Sequence, residues 1–127
     1  MNLEKVVFGF FIILALTLNF GFFLGEIDNP AHHNVYELFA AIVVNLVATV
    51  MKFGDRTQTG ALLLATSLVA MLQLLGAAVV WGYTANISAS GMDAMMMASI
   101  VSLAAGALVA NVISVVLLIA DTMVLRR

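Results

Sequence analysis

Five residues of one apolar stretch stand at helical spacing: Glu37, Ala41, Asn45, Thr49 and Lys52. Intervals of four, four, four and three residues put them on one face of a helix, with Ala48 beside Thr49. The stripe runs from an acid through an amide and a hydroxyl to a base. An ion path needs that order, a charge at the mouth followed by neutral dipoles that replace hydration without trapping the ion. A helix–helix seam with charged ends has the same pattern. Two residues before this stretch, His32 and His33 precede Glu37. A helix that began early would set His33 and Glu37 four apart on one face, and imidazole with carboxylate can bind a divalent metal. Glu26, Asp28 or a symmetry mate would have to supply the other ligands. Two solvated histidines, or a histidine that titrates at the mouth, are the other readings.

Stepping outward from the stripe, 64% of the 127 residues are hydrophobic and 9% are charged. The mean hydropathy is +1.14. Soluble domains run at roughly 45–50% apolar and about 25% charged, and a globule this small buries only part of what it carries. The composition excludes a cytosolic enzyme and a disordered tail. Five Lys/Arg against seven Asp/Glu give no basic patch for a phosphate backbone, so no nucleic-acid partner is expected. With no cysteine, there is no disulfide framework, thiolate metal site or thiol nucleophile. HExxH, P-loop and dinucleotide glycine patterns are absent, as is a nucleophile with a base at motif spacing. No catalytic residues and no enzyme activity are expected, and no cofactor beyond a bound cation.

A bilayer core of about 30 Å takes roughly 20 apolar residues as helix. Four stretches qualify, at about 6–25, 36–53, 61–83 and 94–125. They do not alternate apolar with polar, so helices rather than a barrel are expected. The first is too long for the apolar core of a signal peptide and is expected to remain as a helix. The fold class that follows is all-α, an integral membrane four-helix bundle in one domain over residues 1–127. Lys5, Lys52, Arg56, Arg126 and Arg127 then all fall on one side, so the positive-inside rule puts both termini in the cytoplasm. Tyr36, Trp81 and Tyr83 fall near the outer boundary, where aromatic belts sit. The outer mouth would carry four acids, Glu26, Asp28, Glu37 and Asp93, with His32 and His33 and no Lys or Arg, and would concentrate cations.

Each span holds an amide: Asn19, Asn45, Gln73 and Asn111. Interhelical amide hydrogen bonds are worth about 0.6–2 kcal/mol each, so Asn19, Gln73 and Asn111 are expected as buried polar glue. The fourth span repeats a small residue every four positions, Ala98, Ser102, Gly106, Ala110 and Ser114, a face on which helices approach closely. Asp121 stands beside Arg126 and Arg127 and is expected to pair with them. Met92, Met95, Met96 and Met97 cluster at the start of the same span, as apolar filler or as thioether ligands for a soft metal. Ala40–Asp55 and Gly106–Asp121 match at five of sixteen positions, Asn45 with Asn111 and Asp55 with Asp121 among them, which is compatible with a parallel duplication.

The segment FFLGEIDNPAHHNVYELFAAIVVNLVATVMKFGDRTQTGA, Phe22 to Ala61, resembles small bacterial membrane proteins grouped as a family of unknown function. The resemblance extends over most of the chain. It implies a multi-helix protein of the bacterial inner membrane and assigns no activity and no site residues. A lone four-helix bundle leaves no wide aqueous path, so conduction is expected on the axis of a homo-oligomer. Glu37 would attract cations and Asn45 and Thr49 would coordinate them. The alternative is a non-conducting scaffold subunit of a larger membrane complex.

Overall fold

The computed structural model describes residues 3–25, 33–86 and 93–125. They form four helices: α1 (Leu3–Phe23), α2 (Val35–Lys52), α3 (Gln58–Asn86) and α4 (Ala94–Leu125). All four are long and apolar enough to cross a membrane. The helices stand in a square in chain order, α1 against α2 and α4, and α3 against α2 and α4, with α3 and α4 packed most closely. Neighbours are antiparallel. The C-terminal turn of α1 meets the start of α2 at Gly21 and Glu37, while Lys5 at its other end reaches Asp121 of α4. One end of the bundle therefore holds the starts of α1 and α3 and the ends of α2 and α4. It is called the terminal end below, and the opposite one the far end.

Local chemistry sets the helix ends. Asn34 caps α2, its side chain accepting from the Tyr36 N–H at 2.8 Å, with Glu37 in the first turn and Lys52 in the last, each favourable to the helix dipole. Gly54, at φ +87°, takes the left-handed conformation that lets the chain reverse. The Thr57 hydroxyl then accepts from the Gly60 N–H at 2.9 Å. That cap starts α3 at Gln58, a turn earlier than the apolar run at Ala61 suggests. Asp93 caps α4, accepting from the Met96 N–H at 2.8 Å.

Inside, α3 buries Gly60, Leu63, Ser67, Ala70, Leu74 and Ala77. Intervals alternating between three and four are the seam of coiled-coil-like packing. On α1, Phe8, Ile12, Ala15, Asn19 and Phe22 follow the same rule. Eight of the buried apolar residues described are alanines, which draws the helices close. The outer surface is apolar too, with Phe10, Leu72, Val79 and Val116 all exposed. A water-soluble bundle reverses that distribution. Amides inside and large hydrophobics outside are the arrangement of a multi-pass membrane protein.

Candidate functional site

The bundle has two apolar clusters. Toward the far end, Phe22, Leu38, Ala41, Ala70, Leu74, Met97 and their neighbours pack together. Toward the terminal end, Phe8, Ile12, Ala48 and Leu63 form a second group. A polar side chain from every helix stands in the gap. Asn19 lies between Ile12 and Phe22, Asn45 between Ala48 and Ala41, and Ser67 between Leu63 and Ala70. Asn111 follows Ala110, one turn before Ser114, whose hydroxyl bonds that of Thr66 at 2.5 Å. These pairings set Asn45, Ser67 and Asn111 at one depth and Asn19 about one turn, some 5 Å, toward the far end.

All four side chains are fully buried. Both amide atoms of Asn19, both of Asn111, Oδ1 of Asn45 and Oγ of Ser67 have no hydrogen-bond partner. Asn45 Nδ2 donates to its own helix at Ala41 O, 2.8 Å away, and the Thr49 hydroxyl donates to Asn45 O at 2.7 Å. A buried polar group without a partner costs about 1–3 kcal/mol. Native interiors seldom carry several together, so this layer calls for a reason other than packing.

The α2 stripe faces this interior. Asn45 is 0% and Thr49 3% exposed, whereas Tyr36, Phe39, Val43, Leu46 and Val50 point outward. A path between copies of the chain would need Asn45 and Thr49 on the subunit surface. Both side chains lie inside one chain instead. Glu37 is half-buried, and its carboxylate lies directly on the α1 backbone at Gly21, where a Cβ would displace it.

At the far end the expected histidine–glutamate pairing does not form. α2 starts at Val35, so His33 lies before the cap rather than one turn from Glu37. Its buried ring shares a 2.5 Å hydrogen bond between Nδ1 and Phe22 O and packs on the Phe22 ring at 5.5 Å, tying the end of α1 to the start of α2. Among the described residues no three His, Cys, Asp or Glu side chains gather as a metal site. Glu26, Asp28, His32 and Met92 lie outside the described residues. Asp93 is exposed and serves as the α4 cap. Met95 is exposed, and Met97 sits in the core.

At the terminal end a cavity of about 190 Å³ is lined by Lys5, Phe8, Lys52, Asp55, Thr57 and Asp121, among others. Lys5 stands 3.6 Å from Asp121 and Lys52 3.7 Å from Asp55, and the Lys52 ammonium lies over the Phe8 ring at 4.2 Å. Asp121 thus pairs across the bundle with Lys5; Arg126 and Arg127, the partners expected from the sequence, lie outside the described residues. Asp55 Oδ1 accepts from the Thr57 hydroxyl at 2.7 Å and amide at 2.9 Å. Those bonds, and then the Lys52 charge, hold its carboxyl below the ordinary value of 3.8 against a smaller opposing effect of burial. The folded state therefore prefers the ionised form. Its contribution is complete above the ordinary value and is lost as pH falls through the lower folded one. Unfolding midpoints between about pH 2 and pH 5 should decline toward acid, and Asp55→Asn should flatten that limb.

The small-residue repeat of α4 does not keep one face. Ala110 and Ser114 are buried, Ala98 and Gly106 half-buried, and Ser102 exposed. A strict four-residue repeat turns about 40° per step against a period of 3.6, so the row winds off the interface. Gly106 instead receives the amide of Gln73 from α3; Gln73 is half-buried and lies on the α3–α4 seam, away from the central layer. Ser67 was not singled out by sequence, although its place in the three-and-four spacing of α3 marks it. The Gly21 seat for Glu37 carried no such signal, because it depends on the approach of two helices.

The fold and the polar layer define a small multi-pass helical membrane protein whose apolar interior is interrupted by a layer of buried polar side chains. The chain belongs to a family of unknown function, DUF6394, whose model matches residues 32–122 and so takes in α2, α3 and nearly all of α4. No curated protein and no solved structure matches the chain.

Proposed function

We propose that this protein is a membrane transport protein that passes cations through the interior of its own four-helix bundle. One observation carries the reading: between the two apolar clusters every helix contributes a fully buried polar side chain, Asn19, Asn45, Ser67 and Asn111, whose oxygens have no hydrogen-bond partner. Buried polar groups in membrane helices are costly and mark ion or proton routes. On this reading the membrane is a bacterial inner membrane and both termini are cytoplasmic. Support comes from Lys5, Lys52 and Arg56, which share the terminal end as the positive-inside rule asks. Glu37 then attracts cations at the outer mouth, and the neutral dipoles of Asn45 and Thr49 carry them inward. Copies of the chain associate as a homo-oligomer in which each subunit has its own path.

The test is flux into vesicles reconstituted with the full chain. Glu37→Gln should lower cation flux about tenfold, the scale on which a mouth charge concentrates ions. Unchanged flux would remove Glu37 from the path. A second reading is a non-conducting scaffold subunit, favoured by the small residue Ser102 on the exposed side of α4, where a partner helix could approach. Absence of flux in the wild type, with a stable complex in mild detergent, would select it.

A further inference from the structure

We propose that the mid-bundle layer is a binding site for a partly dehydrated monovalent cation, with neutral oxygens as ligands, one from each helix: Asn19 Oδ1, Asn45 Oδ1, Ser67 Oγ and Asn111 Oδ1. The inference rests on the transport reading and names its substrate class.

The donor set argues for the charge of the ion. All four oxygens are fully buried and have no hydrogen-bond partner. They come from amides and a hydroxyl, and no carboxylate lies among them. Divalent cations in proteins are held by carboxylates, which compensate the cost of stripping a doubly charged ion of water. Neutral dipoles suffice for a single charge and release it again, as the carbonyl rings of potassium channels do. Among the described residues no cluster of acids or histidines offers an alternative centre.

Orientation argues for the sign. Asn45 gives its Nδ2 to Ala41 O on its own helix, and the Thr49 hydroxyl hydrogen is likewise committed to Asn45 O. What α2 leaves free in the layer is oxygen. The remaining unpartnered donors are Nδ2 of Asn19, Nδ2 of Asn111 and the Ser67 hydroxyl, whose hydrogen turns away when its oxygen meets a cation. The nearest cationic side chain on α2, Lys52, is seven residues away, about 10 Å along the axis, and is paired with Asp55. With its four oxygens turned inward and the amide nitrogens outward, the layer offers a cation neutral ligands and no fixed negative charge.

The test is direct binding of radioactive sodium or rubidium to the full chain in mild detergent, with thermal unfolding in sodium, potassium, calcium and N-methylglucamine chlorides at equal ionic strength. Saturable binding near one ion per chain is expected. Sodium or potassium should raise the unfolding temperature above its value in N-methylglucamine, and calcium should not. Ser67→Ala, a change small enough to leave the packing intact, should weaken binding about tenfold, which removes roughly 1.4 kcal/mol of linked stabilisation at saturation. The inference is overturned by an unfolding temperature no higher in sodium or potassium than in N-methylglucamine, by stabilisation that calcium gives equally, by affinity unchanged in Ser67→Ala, or by no saturable binding. The two readings fail separately. Flux without monovalent binding overturns this site and leaves the path, whereas binding without flux overturns the path and leaves the site.

Discussion

Replacing Asn111 by leucine should stabilise the folded bundle and abolish cation flux. Both polar atoms of the Asn111 side chain are buried without a partner, and leucine has the same branching and heavy-atom count, with two bulkier methyl groups in place of the amide's oxygen and nitrogen. The substitution removes an unsatisfied amide that costs about 1–3 kcal/mol and introduces an apolar group between the two apolar clusters. Had Asn111 been interhelical glue, the same change would lose about 0.6–2 kcal/mol. The two accounts differ in sign, so a comparison of unfolding temperatures decides between them. The comparison belongs in N-methylglucamine buffer, where no bound alkali ion stabilises the wild type. A lower unfolding temperature in the variant would show that the amide holds the helices together, and the layer would lose its main claim to a transport role.

The opposing signs of stability and function have a general source. A core that satisfied every polar atom would be more stable and would offer an ion nothing. The alanines lining the interior, Ala15, Ala41, Ala48, Ala70, Ala77, Ala104 and Ala107 among them, show that close packing was accessible to this chain. Asn19, Asn45 and Asn111 stand in a seam that alanine or leucine could have filled. Their presence departs from packing logic, and the transport reading proposed above accounts for it.

How far the sequence revealed this can be traced residue by residue. The apolar runs located all four helices, and α4 begins and ends at the residues expected from its run. The inward face was harder, because Phe10, Leu72 and Val79 make the outside as apolar as the core. Only polar residues told inside from outside, which is why the α2 stripe was legible and its burial followed. Ser67 escaped because Thr66 stands beside it and either could have faced in. The ion pair between Asp121 and Lys5 was not legible, because Lys5 comes from the other end of the chain. The axial path between subunits came from the premise that one bundle has no room for a route. Asn45 and Thr49 are instead buried inside one chain. The Gly21 seat under Glu37 was beyond reach, since a glycine's use depends on what approaches it.

Lys52→Met should be tolerated and should raise cation flux, whereas Asp55→Asn should destabilise the chain and lower flux. The two residues form one ion pair, 3.7 Å apart, but they are not equivalent. Lys52 is 8% exposed, its ammonium over Phe8. Asp55 is less enclosed and keeps two bonds to Thr57 whether or not Lys52 is charged. Removing Lys52 therefore leaves a carboxylate that is still bonded and partly solvated, and methionine refills the apolar stem's place on Phe8. Removing the Asp55 charge leaves a buried ammonium without compensation. Breaking a buried pair in that direction costs about 3–5 kcal/mol when both charges are enclosed, and the partial exposure of Asp55 reduces it to roughly 1–3 kcal/mol. On the transport reading, a cation leaving the layer passes Lys52 at the cavity that Lys5 also lines, and loss of the Lys52 charge should raise flux about threefold to tenfold. Equal loss of stability in both variants would mean that the pair acts only as a structural clasp. Flux that fell in Lys52→Met would place the cation route away from this end of the bundle.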